Sequence, residues 1–128
     1  MIIAGIGCRK GATASQVGEA IAAALARAGL PAGALDLIAT AVFKGAEPGI
    51  VAAAAALSLP LVLVPPADLE GAGPRIVTRS ERVVALTGLP AIAEAAALAA
   101  GGPSARLVAP RTAVGPVTCA LAASEVPA

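Results

Sequence analysis

The first eighteen residues, MIIAGIGCRKGATASQVG, constrain this chain more than any other stretch. Ile2–Ile6 reads as a buried strand. It runs into a glycine-rich cationic turn, Gly5–Gly11, and a helix opens at Thr13 or Ser15. Gly5, Gly7 and Gly11 are expected to give that turn positive φ angles and let a ligand approach the backbone. The helix start adds unpaired N–H groups and the positive end of a dipole, and Arg9 and Lys10 add two full charges. This combination predicts an anion site at the carboxyl end of the first strand, where open α/β sheets take their ligands.

Neither common nucleotide loop is present. Counted with Gly5 as the first residue, the sixth of a P-loop must be its second glycine, and Lys10 stands there instead. In the dinucleotide fingerprint the third glycine is displaced, to Gly11, and Asp36 precedes the second strand rather than ending it. A plain glycine turn with solvated charges remains the alternative reading.

Absent residue types narrow the chemistry. The 128 residues include no histidine, which removes Ser-His-Asp and Cys-His catalysis and histidine-ligated metals. No metal site and no cofactor are expected. Phe43 is the sole aromatic residue and the net charge is +1, so neither base stacking nor a basic field for nucleic acid is available. The cysteines, Cys8 and Cys119, are too few for a disulfide framework and fit a reducing compartment.

Mean hydropathy is +0.87, much of it from alanine. Gly49–Ala67 carries no charge and approaches spanning length, yet Ser58, Pro60, Pro65 and Pro66 break it. It parses as a helix and a strand, so no membrane association is expected. The short apolar start lacks a basic region ahead of it, which argues against a secretory leader. A cytoplasmic location is expected.

Strand-like and helix-like segments alternate from there. Thr13 and Gln16 can form a capping box, and Val17, Ile21, Leu25 and Ala28 fall on one helical stripe stopped by Gly29 and Pro31. Leu35–Val42 reads as a second strand, Ile50–Leu57 as a helix behind Pro48, and Leu61–Val64 as a third strand. Pro65–Pro74 reads as irregular with one helical turn at Ala67–Glu70. Ser80 can cap a helix over Arg82–Thr87, and another follows over Ala91–Ala100. Ala105–Ala109 and Val117–Ala123 read as strands joined by a hairpin loop, Pro110–Pro116. The sum is one domain over residues 1–128, an α/β fold in three layers, α/β/α. Its mixed sheet has about five strands, the last two forming a hairpin.

Four motifs, in order, carry a resemblance: GIGCRKGATASQV, IATAVFKGAEPGI, TRSERVVALTGLPAIAEAAALAAGG and GPVTCALA. Together they resemble the CbiG/CobE family of cobalamin biosynthesis over nearly the whole chain. More narrowly, they match its stand-alone form, equivalent to the C-terminal domain of the two-domain members. The resemblance implies an α/β/α domain and a role in building the corrin ring. Its ligand would be a corrinoid or precorrin intermediate, and other enzymes of the pathway would be its partners. Two-domain relatives open a ring lactone in a cobalt-precorrin and release acetaldehyde; the N-terminal half of those proteins has no counterpart in these residues. The expectation is therefore binding or carriage of the intermediate, with lactone hydrolysis as the alternative.

Corrin precursors carry several carboxylates, which suits a cationic loop. The expected ligand-binding set is Gly5, Gly7, Cys8, Arg9, Lys10, Lys44 and Thr118, with Arg79 as a further basic candidate. Lys10 and Lys44 are the only lysines, and both follow expected strands. Glu47 and Glu94 are the catalytic candidates if the protein is a hydrolase, since no histidine can handle the proton. Each has a structural alternative: Glu47 can pair with Lys44, and Glu94 needs solvent or a partner in an apolar stretch. Cys8 beside Arg9 and Lys10 suits a lowered thiol pKa, or simple packing. Cys119 is expected in the core, with the Thr118 hydroxyl on the opposite face.

Overall fold

A computed structural model describes residues 1–42, 47–72 and 92–124. The described elements, in order, are β1 (Ile2–Cys8), α1 (Ala14–Ala28), a 3-10 turn (Ala32–Ala34), β2 (Leu37–Ala41), α2 (Pro48–Ala56) and β3 (Leu61–Val64). After them come α3 (Pro66–Ala72), α4 (Ile92–Gly101), β4 (Arg106–Val114) and β5 (Val117–Ala123). The strands form one sheet in the order β3-β2-β1-β5-β4. β1 pairs parallel with β2, and β2 with β3, whereas β5 runs antiparallel to both β1 and β4. The expected α/β class, mixed sheet and terminal hairpin are all present.

Two apolar clusters divide the helices between the faces of the sheet. On one face Ile6, Ile38, Cys119 and Leu121 pack with Val17, Ile21 and Leu25 of α1 and Ile50 of α2. On the other, Ile3, Ala39 and Ala122 pack with Leu69 of α3 and with Ala95, Ala96, Ala97 and Leu98 of α4. Such a central sheet is buried on both sides, which explains why β1 and β2 read as unbroken apolar runs. The one buried hydroxyl in β2, Thr40, donates to the Ile6 carbonyl at 2.8 Å and so costs no unpaired polar atom.

Gly5 and Gly7 do not behave as the sequence suggested. Both lie inside β1, and of the first loop's glycines only Gly11 has positive φ, at 87°. At Gly5 the reason is helix packing: a Cβ there would fall 1.9 Å from the Ala93 carbonyl oxygen and 2.7 Å from the Ala97 nitrogen, whereas at Gly7 the tight neighbour is the Thr118 hydroxyl. No side chain fits at Gly5, so α4 sits directly on the strand backbone.

The hairpin also differs from expectation. Pro110 does not end β4; the strand continues to Val114, and the turn is two residues, Gly115–Pro116. β4 lies at the sheet edge, where a residue without N–H is tolerated. The ladder absorbs it through shifts between Leu107 and Ala109 and between Ala109 and Thr112, each giving β4 one residue more than β5. Gly115 takes φ 57°, as the first position of a tight hairpin turn requires. The helical turn expected at Ala67–Glu70 is present within a longer helix, α3, in the region otherwise read as irregular. The expected helix over 82–87 lies outside the described residues. Among the described residues, no helix is long and apolar enough to cross a membrane.

Two measurements test this packing. Gly5→Ala must push α4 off the sheet, and a loss of about 2 kcal/mol or more in chemical denaturation is expected, at the upper range for overpacking. The second concerns Cys119, whose thiol burial pushes up to about 12. Between the ordinary thiol range near 9 and that value, the folded state holds a proton that the unfolded state has lost. Stability from this group is therefore complete below pH 9 and declines toward pH 12, by up to about 1.4 kcal/mol per pH unit. The chain has no tyrosine to obscure this limb. Denaturation midpoints from pH 8 to 11 should fall more steeply for the wild type than for Cys119→Val.

Candidate functional site

β1 ends at Cys8 opposite Val117, the first residue of β5, so the strand end and the hairpin turn lie side by side. The Arg9 N–H donates to the Pro116 carbonyl at 2.9 Å, which fastens the loop to the turn. The loop then closes on itself, with the Ala12 N–H donating to the Arg9 carbonyl at 3.3 Å. Ala12 is buried, whereas Arg9, Lys10 and Gly11 are exposed. The two cationic side chains thus stand in solvent on a backbone held at both ends.

Thr13 completes that hold. It is the N-cap of α1, its hydroxyl accepting from the Gln16 N–H at 3.1 Å while the Gln16 side chain accepts from the Thr13 N–H at 2.9 Å. This is the capping box read from the sequence.

α2 begins against the same loop. A Cβ on Gly49 would lie 2.1 Å from the Ala12 carbonyl oxygen, so only glycine permits the contact. Glu47 occupies the N-cap position of α2, its carbonyl accepting from the Ile50 and Val51 N–H groups while its side chain makes no cap bond. Its carboxylate instead reaches the first loop, accepting a long hydrogen bond of 3.4 Å from the Gly11 N–H. Glu47 and the exposed loop are therefore together, as expected for loops that follow parallel strands. Lys44 and Arg79 lie outside the described residues.

The start of α4 reaches this end of the sheet too. Room for a Cβ on Gly7 is bounded by the Thr118 hydroxyl at 2.9 Å and Ile92 Cβ at 3.7 Å. Thr118 faces this side and donates to the Gly7 carbonyl at 3.2 Å, while Cys119 packs with the α1 side. Buried Gly5 and Gly7 with half-buried Thr118 thus form the floor beneath α4, and Cys8, half-buried, lies between that floor and the exposed loop. The N-terminal ends of α1 and α2 both open here, an arrangement that favours negative charge.

Glu94 is engaged with β4. It lies in the first turn of α4, fully buried, and accepts from the backbone N–H of Arg111 at 2.9 Å. The sequence signalled that this acid required a partner, and one that it finds is a main-chain group on the bulged edge strand, which no side-chain pattern reveals. Among the described residues, no group of three or more Cys, Asp or Glu side chains comes together that could hold a metal ion.

Because the capping box is the hinge between loop and helix, Thr13→Ala should lower stability by about 1 kcal/mol, the usual value for a lost cap. Thermal melts of the two proteins measure it.

Comparison with known proteins places this arrangement. The family described as Cobalamin synthesis G C-terminus matches residues 2–122. The protein CobE of Sinorhizobium sp is 36% identical over 121 residues, covering 94% of this chain and 79% of the relative. The crystal structure of CobE, a protein from the cobalamin (vitamin B12) biosynthetic pathway, superposes with a TM-score of 0.89 at 33% identity, over 95% of this chain and 89% of that one. Cobalamin biosynthesis protein chiG from Agrobacterium tumefaciens gives 0.78 at 41% identity, over 98% and 100%. A cobalamin biosynthesis protein G homolog from Sulfolobus solfataricus, 24% identical, shares the fold with a TM-score of 0.74; this chain spans 97% of itself and 37% of that protein. The chain belongs to the CobE-like family of cobalamin biosynthesis proteins defined by the CbiG C-terminal domain.

Proposed function

We propose that this protein binds a polycarboxylated corrin-ring precursor at the carboxyl end of β1 and carries it between cytoplasmic enzymes of the pathway. The observation that carries this reading is the loop Arg9–Gly11, exposed in its side chains yet fixed in its backbone by Pro116 and Thr13. A preorganised cationic loop at converging helix starts suits carboxylates, because little ordering is left to be done on binding. Lys44 and Cys8 join the same site in this reading, with Gly5, Gly7 and Thr118 supporting it from beneath. Membership in a cobalamin biosynthesis family supplies the ligand class.

Lactone hydrolysis is the second reading, and one observation keeps it in view: the Glu47 carboxylate stands at the loop and contacts Gly11. A ligand carboxylate would compete with Glu47 for the Gly11 N–H, which makes Glu47 either a base for water or an internal anion that the ligand displaces.

Titration with uroporphyrin, a tetrapyrrole bearing eight carboxylates, tests the site. The chain has no tryptophan or tyrosine, so its own near-ultraviolet absorbance does not interfere. Replacing Arg9 and Lys10 together by alanine should weaken binding about tenfold or more, as expected for two lost charge-assisted contacts, and leave the melting temperature nearly unchanged. Glu47→Gln should bind equally or more tightly. Affinity indifferent to all three changes would sink the assignment of the site. Catalytic release of acetaldehyde from a lactone-bearing precorrin, lost in Glu47→Gln, would replace carriage with hydrolysis.

A further inference from the structure

The bulge of β4 is held by charged side chains from both faces of the sheet. Between Ala109 and Thr112 the strand carries an extra residue, and Pro110 has no N–H to offer. At Arg111 the peptide groups turn to side chains instead. Its N–H donates to buried Glu94 on α4 at 2.9 Å. Its carbonyl accepts from the Arg27 guanidinium on α1 at 3.2 Å, and the same guanidinium nitrogen donates to the Thr112 hydroxyl at 3.2 Å. α1 and α4 lie on opposite faces, so an anion and a cation grip one backbone unit from either side.

The position of this grip matters. Thr112 is the next paired residue, and after two further pairs the hairpin turns at Gly115–Pro116. Arg9 and Pro116 stand one step past Cys8 and Val117 in the β1–β5 ladder, and the Arg9 N–H donates to the Pro116 carbonyl. Pro116 is thus held by β5 on one side and by the turn into β4 on the other, so a β4 leg fixed at its bulge steadies the carbonyl that holds Arg9.

We propose that Glu94 and Arg27 are positioning residues for the Arg9–Gly11 loop, acting through the β4 bulge and the Gly115–Pro116 turn. Glu94 then serves binding by fixing the hairpin, without touching the ligand. The proposal deepens the binding reading above and rests on it only for its ligand measurement.

Amide hydrogen exchange reads the loop without any ligand. In Glu94→Ala and in Arg27→Met, exchange of the Arg9 amide should quicken about tenfold, the scale of one lost hydrogen-bonded constraint. The Ile38 amide, bonded to the Pro60 carbonyl at 3.0 Å in the distant pair β2–β3, should not change. Glu94→Gln keeps an oxygen for the Arg111 N–H and should restore exchange at Arg9 to nearly the wild-type rate. Exchange at Arg9 within about twofold of wild type in either Glu94→Ala or Arg27→Met overturns the proposal. So does an equal rise at Arg9 and Ile38, or a Glu94→Gln variant as fast as Glu94→Ala. If Glu94→Ala does not fold, Arg27→Met decides alone, since Arg27 is exposed. Uroporphyrin affinity measured on the same proteins should weaken in step with Arg9 exchange. Wild-type protein that fails to bind uroporphyrin would count against the binding reading and leave the exchange result standing.

Discussion

α4 rests so directly on β1 that the Ala93 carbonyl occupies the space where a side chain on Gly5 would begin. This contact sets the thickness of the layer beneath α4 and brings the helix start over Gly7 and Thr118. The side chains nearest the contact are correspondingly small: Ala93 and Ala97 stand against Gly5, and Ala95 and Ala96 beside them are fully buried. Alanine in α4 is therefore a geometric requirement of two surfaces in near backbone contact. It also limits how much apolar area each residue contributes, so the fold relies on many small burials rather than a few large ones.

Much of this architecture was legible in the sequence, because its cues are local. The Thr13–Gln16 box, the stripe from Val17 to Leu25 and the apolar run Leu61–Val64 each declare themselves within a few residues. The misread parts depend on neighbours far away in the chain. Gly5 and Gly7 looked like turn residues, and only the positions of Ala93 and of the Thr118 hydroxyl show them to be packing residues. Pro110 looked like the end of a strand, a reading reversed by β4 being an edge. The whereabouts of Glu94 could not be read either, since a peptide group that it binds is brought to it by a bulge.

The candidate site shows the same division. Arg9 and Lys10 were recognisable as an exposed cationic pair following a strand, and Glu47 as an acid at a helix start. Their meeting depends on Gly49 fitting against Ala12, a contact across 37 residues of sequence that no motif encodes. The site is thus assembled from ordinary parts: a cap, a strand end, a hairpin turn and a helix start, each fastened by backbone hydrogen bonds. Side-chain charge is left to the surface, where it is accessible to an anionic ligand.

The interrupted edge at β4 has a consequence for molecules meeting one another. An intact outer strand offers a row of main-chain donors and acceptors to any extended chain that drifts past. Here Pro110 removes a donor, the ladder shifts twice within six residues, and Arg111 turns its amide inward to Glu94. That flank is a poor template for another strand. The hairpin that frames the candidate site therefore also terminates the sheet, and protects the protein against self-association along that side.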